Sequence, residues 1–142
     1  GFQLARIKTP SGKYLFILNT HLDAGRSTSD RKVRAEQLSQ ILAKVKQVTA
    51  EEALIVAGDL NLRWNDPEDR ALLENFMADL TLKDSVRGTQ SEKGWPILDY
   101  ILYRNGQITS LEVLEVGEDS GFQYEDGALS DHPALFIKFF IN

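Results

Sequence analysis

Tyr14-Leu-Phe-Ile-Leu18, the apolar positions between Arg31 and Val48, and Leu54-Ile-Val-Ala57 together decide the fold class. The two short runs are apolar without alternation, which suits strands covered on both faces in the middle of a layered sheet. Between them Leu38, Ile41, Leu42, Val45 and Val48 recur at helical spacing, with Asp30 placed to cap the start and Lys44 and Lys46 near the end. Strand, helix, strand in that order predicts a crossover unit within one sheet.

Working outward, residues 2–8 are apolar-rich and join the first run through Thr9-Pro10-Ser11-Gly12, so a hairpin is expected there. Downstream, Asp66-Pro67 opens a second helix, with Asp as cap, Pro in the first turn, and Glu68 and Asp69 at its positive dipole end. Leu72, Leu73, Phe76, Met77 and Leu80 form its buried stripe. After a polar stretch around residues 88–94 come strand candidates at 98–103, 108–116 and 134–141, the first two separated by the turn Asn105-Gly106. Strands outnumber helices. The expected fold is α/β (α+β), one mixed sheet with helices on one face, and the other face then calls for a partner.

At 142 residues with 42% hydrophobic and 26% charged residues, the chain is expected to form a single unit, 1–142, with a sizeable core. Its net charge of −5 lacks the basic surplus of a non-specific duplex binder, so any phosphate chemistry must rest on a local site or a cation. Absence of cysteine excludes a disulfide framework, a thiolate zinc site and a cysteine nucleophile. No apolar run reaches bilayer-spanning length and the first ten residues lack signal-peptide character, so a soluble chain is expected.

Both histidines sit at predicted strand ends: His21 in Asn19-Thr-His-Leu-Asp23, and His132 in Ser130-Asp-His-Pro133 ahead of the last strand. Imidazole titrates near neutrality and can donate to a phosphoryl oxygen or shuttle a proton; the plainer reading of each alone is a hydrogen-bonded boundary residue. Gly58-Asp59-Leu60-Asn61 closes the second apolar run. If extension persists, Asp59 and Asn61 share a face while Gly58 permits a close approach, although the same residues also make ordinary turns. Asp99 lies inside the apolar segment 97–102 and needs an opening or a donor, for which an imidazole would serve. Asp131 could be a hard oxygen ligand for Mg²⁺ or Mn²⁺. The loop 24–32 carries Arg26, Arg31 and Lys32, which could grip a phosphate, and Trp64 and Trp95 could stack on a base or cover the rim of a site.

Taken in order, Asn19-Thr-His-Leu, Gly58-Asp-Leu-Asn, Leu98-Asp-Tyr-Ile and Ser130-Asp-His-Pro resemble the endonuclease/exonuclease/phosphatase superfamily, the DNase I-like proteins. The resemblance implies half of a four-layer αββα sandwich, namely its C-terminal half. The first half, which in the family supplies an Asn and a metal-binding Glu, has no counterpart before Asn19. It implies a metal-dependent phosphoester hydrolase using Mg²⁺ (or Mn²⁺), with a nucleic acid, phospholipid or sugar phosphate as substrate. The alternative is a non-catalytic binding or assembly module derived from the fold. His21 resembles the histidine that contacts the phosphate or assists the leaving oxygen. Asp59 resembles the acid that positions or deprotonates water, with a share in metal binding, and Asn61 the amide that stabilises transition-state charge. Asp99 resembles the acid that orients the second histidine, Asp131 the auxiliary metal carboxylate, and His132 the histidine at the scissile phosphate or the general base. A bare sheet face implies a homodimer through sheet-on-sheet contact, or association with a separate first half.

Overall fold

The computed structural model describes residues 1–85, 98–119, 121, 123–124 and 127–142. In chain order the elements are β1 (Phe2–Lys8), β2 (Tyr14–Thr20), α1 (Thr28–Thr49), β3 (Ala53–Asp59), α2 (Pro67–Leu80), β4 (Lys83–Asp84), β5 (Asp99–Arg104), β6 (Leu111–Glu118), β7 (Gln123–Tyr124), β8 (Gly127–Ala128) and β9 (Leu135–Ile141). The expected polar stretch 88–94 and Trp95 lie outside the described residues. No helix among those described is long and apolar enough to cross a membrane.

The main sheet is mixed, ordered β1-β2-β3-β5-β4. β1 and β2 form the antiparallel hairpin, β2 and β3 run parallel across the α1 crossover, and β5 returns antiparallel to β3. Because side chains alternate along a strand, Phe16, Leu18, Leu54, Val56, Tyr100 and Leu102 all point to one face, where Leu38, Ile41 and Val45 of α1 and Leu73, Phe76 and Leu80 of α2 meet them. Each large aliphatic side chain buried there contributes about 1.5–3 kcal/mol. Leu72 and Met77 pack partly buried against the same cluster.

The opposite face carries no helix. Cross-strand pairing lines up Ala5, Ile17, Ile55 and Tyr103 in one row across it. Here the expectation that β2 is covered on both sides meets a difference, since Ile17 is 37% exposed and Asn19 is exposed. Of the three late strands only β5 joins this sheet. β6 and β9 pair with each other as a separate antiparallel ribbon, and their Leu111, Phe139 and Ile141 pack on Leu15, Ala53, Ile55 and Tyr103 at one end of the helix-free face. The arrangement is half of a DNase I-like αββα sandwich: one mixed sheet with helices on one side and the start of a second β layer on the other.

α1 begins three residues earlier than its apolar periodicity suggests. Ser27 is the N-cap, accepting from the Asp30 backbone N–H while Asp30 accepts from that of Ser27, so Asp30 closes a capping box from inside the first turn instead of capping it. α2 starts as read, with the Asp66 carboxylate accepting from the N–H groups of Glu68 and Asp69 and Pro67 at the first helical position.

Candidate active site

The site assembles at the carboxyl ends of the parallel strands β2 and β3. Asp59 ends β3 and Asp99 begins β5, and the two are direct cross-strand partners. Directly opposed residues in an antiparallel pair share a face, so two carboxylates stand side by side. Like charges this close require a cation or a donor between them. His132, in the loop before β9, supplies one: its Nδ1–H donates to Asp99 Oδ2 at 2.7 Å. Its other nitrogen, Nε2, lies 3.8 Å from Asp59 Oδ2. His21, just beyond β2, presents its own Nε2 3.5 Å from the same oxygen. Two imidazoles thus converge on one carboxylate from different loops.

Gly58 makes the approach of β2 and β3 possible. It has φ +144°, and a Cβ there would fall 1.8 Å from the Thr20 carbonyl oxygen. The chain immediately past both strands is then cross-tied, Leu22 N–H donating to the Asp59 carbonyl (2.9 Å) and Asn61 Nδ2 donating to the Leu22 carbonyl (3.0 Å). Extension does not persist to Asn61. The strand ends at Asp59 and Asn61 turns into the left-handed region at φ 50°, a conformation Asn tolerates. Its N–H reaches back to Asp59 Oδ1 at 2.8 Å, so the two are joined by a local turn rather than by strand period.

Charge follows from the geometry. Burial by itself would lower the His132 pKa, but the hydrogen bond to Asp99 and the charges of Asp99, Asp59 and Asp131 outweigh it and raise it above its ordinary value. Burial pushes the Asp99 carboxyl up, with Asp59 adding to the push and His132 opposing it.

Asp59, Asp99 and His132 offer one ligand atom each within 4.8 Å of one another, the group among the described residues suited to a metal ion. Two hard carboxylate oxygens and an imidazole nitrogen, in a setting open enough for water, fit a divalent cation. Asp131 is exposed beside this group and outside it. The expected loop 24–32 ends at Ser27, because α1 begins at Thr28; of its cations, Arg31 lies on α1 and is committed to the α2 cap Asp66 and to Glu68 and Asp69 in the first turn of α2, leaving Arg26 and Lys32 at the surface. Trp64 packs against the helix-side core under the Arg70 guanidinium, 5.5 Å from its ring centroid. The residues that hold these loops, Arg34, Gln37 and Asp69, were not among the sequence candidates. A charged residue at a core-facing helical position is the signal that could have found Arg34.

Residues 1–95 match the model of Endonuclease/Exonuclease/phosphatase family 2. The chain belongs to this endonuclease/exonuclease/phosphatase family. Family membership agrees with the similarity to a sphingomyelinase of Mycobacterium tuberculosis, 26% identical over 98% of the chain and 30% of that protein. A phospholipase C of Staphylococcus aureus is 29% identical over 84% of the chain and 37% of its own length. The chain therefore spans about a third of the length of the curated relatives it matches. Among solved structures, the human Nocturnin catalytic domain with bound sulfate anion is 25% identical and superposes with a TM-score of 0.68, over 99% of this chain and 60% of that one.

Proposed function

We propose that this chain carries the second half of the catalytic site of a metal-dependent phosphoester hydrolase, with a phospholipid phosphodiester as the first substrate class to test. The observation that carries the proposal is the convergence of both imidazole Nε2 atoms on Asp59 Oδ2, with Asp99 fixing the orientation of one of them. Relatives named sphingomyelinase and phospholipase C support the lipid choice, and the sulfate bound to the Nocturnin catalytic domain is a tetrahedral anion of the shape a phosphoester presents.

Phosphoryl transfer asks for a positioned water, donors on the equatorial oxygens and neutralised charge. Asp99 accepts the Nδ1–H of His132 and so leaves Nε2 to face the phosphate, where the raised pKa keeps a proton available for donation. Asp59 is the carboxylate placed to orient or deprotonate the attacking water, held in position by the Asn61 N–H. Asn61 retains one amide N–H beyond its bond to Leu22, a neutral donor for the developing charge. His21, its side chain 71% exposed, is placed to donate to a phosphoryl or leaving oxygen. The Asp59 and Asp99 carboxylates would hold Mg²⁺ or Mn²⁺, with Asp131 as an auxiliary carboxylate, which leaves the protonated Nε2 of His132 to the phosphate. Such an ion supplies charge neutralisation and a more acidic bound water.

We further propose that the helix-free face, with Ile7 and Ile17 exposed on it, is covered by a second sheet of the family's αββα type. Sedimentation tests who supplies it. A concentration-dependent dimer assigns the cover to a second copy, while a monomer that binds a separately expressed first half assigns it there. A stable monomer that binds nothing removes the proposal. The catalytic proposal is tested by Mg²⁺-dependent hydrolysis of sphingomyelin and of bis(p-nitrophenyl) phosphate. His132→Ala and Asp59→Asn are expected to abolish the activity; activity that survives both, or none once the chain is assembled with the second sheet that sedimentation identifies, overturns the assignment.

A further inference from the structure

Beneath the site lies a buried charge network that the proposed chemistry does not use. Arg34 of α1 is fully buried, and its guanidinium does three things at once. Nη1 donates to the carbonyls of Asp23 and Gly25, both at 3.1 Å, and Nη2 donates to Asp69 Oδ1 at 3.3 Å. One turn further along α1, Gln37 Oε1 accepts the Asp23 N–H at 2.9 Å. Asp69 of α2, equally buried, turns its second oxygen to the Arg63 backbone N–H at 3.2 Å. The loop after His21 is therefore gripped at three backbone atoms, and the loop after Asn61 at one. Arg34 and Asp69 couple the two grips.

Burying such a pair is a costly way to hold two helices together, since apolar residues of similar volume usually do so at least as well. What apolar residues cannot do is bond two carbonyls and a carboxylate from one rigid plane. Resting on the hydrolase reading above, we infer that Arg34, with Gln37 and Asp69, forms a positioning network that sets where His21 stands relative to Asp59.

The test uses the full chain and imidazole NMR at fixed pH, beside hydrolysis of bis(p-nitrophenyl) phosphate. Arg34→Lys keeps the charge facing Asp69 but loses the fork. The expected result is a folded protein whose His21 ring resonances move while those of His132, tied to Asp99, stay. Its kcat falls about 10- to 100-fold with KM little changed, as a misplacement of the order of 1 Å would produce. Val45→Ala, a core truncation in the same helix, serves as the stability control and is expected to leave His21 in place. Unmoved His21 resonances in Arg34→Lys, or the same movement in Val45→Ala, overturn the inference. Should Arg34→Lys fail to fold, Gln37→Ala decides: a displaced His21 at an unchanged melting temperature supports the network, and an unmoved one refutes it. An assembled parent protein without hydrolysis would defeat the hydrolase proposal alone, because the imidazole spectra still report the positioning.

Discussion

Gly58→Ala places a methyl carbon 1.8 Å from the Thr20 carbonyl oxygen, 3.0 Å from its carbon and 3.2 Å from its nitrogen. Carbon–oxygen contacts settle at about 3.3 Å, so the ends of β2 and β3 must part by about 1.5 Å. The obstacle is backbone on both sides, which cannot swing away as a long side chain would. A residue with a Cβ at φ +144° is also strained, at about 1–3 kcal/mol. Overpacking adds about 1–3 kcal/mol, for a total of about 2–6 kcal/mol. A domain of this size has about 5–15 kcal/mol to lose, so the variant folds but melts lower, by about 8–24 °C at roughly 4 °C per kcal/mol. The same parting separates His21 from Asp59, now 3.5 Å apart, and a shift of about 1 Å costs on the order of 100-fold in rate. Circular-dichroism melts and phosphodiester hydrolysis read the two effects. A variant that melts within about 2 °C of the parent and keeps its kcat refutes the claim that the site depends on this close approach.

Because His132 is held above the ordinary imidazole value of 6.5, its contribution to stability is fully present below that value and is lost as pH rises through the raised one. Unfolding midpoints from about pH 5 to about pH 9 are expected to decline over that window and to lose the decline in His132→Gln; identical profiles would contradict the Asp99–His132 pairing. Ser27→Ala removes half of the capping box and is expected to cost about 1 kcal/mol, read as a lower melting temperature at unchanged helix content. Asn61→Ala deletes the bond to the Leu22 carbonyl and the residue type suited to φ 50°, and is expected to cost about 1–3 kcal/mol in denaturant titration as well as activity.

What was legible in the sequence was what is local. The Thr9–Gly12 turn, the Asp66-Pro67 helix start and the α1 apolar stripe from Leu38 to Val45 each depend on residues within a few positions, and each leaves a periodic or turn signature, whereas Val48, read into the same stripe, is 40% exposed. Asp99 stood out for a related reason, since an acid inside an apolar strand must be answered by something. Long-range placement left no such trace. Nothing in 111–118 or 135–141 says that these strands pair with each other across the helix-free face instead of extending the main sheet. Arg31 looked like a free loop cation because its three acidic partners lie at the cap and first turn of the next helix. Asp69 looked like a dipole-complementing first-turn acid, and it is also the buried anchor for Arg34 and Arg63. The Ser27 cap was missed because Asp30, itself a good capping residue, stands only three positions away.

The convergence of His21 and His132 on Asp59 and Asp99, and the cation site proposed at those carboxylates, are tested most directly by adding Mn²⁺ in small amounts to the full chain. Paramagnetic broadening of the two imidazoles is then followed by NMR. Both rings are expected to broaden together at the lowest additions, ahead of the remaining side chains, and Asp59→Asn with Asp99→Asn is expected to abolish the effect. Broadening of one ring without the other, or broadening that persists in the double variant, would contradict the site described here.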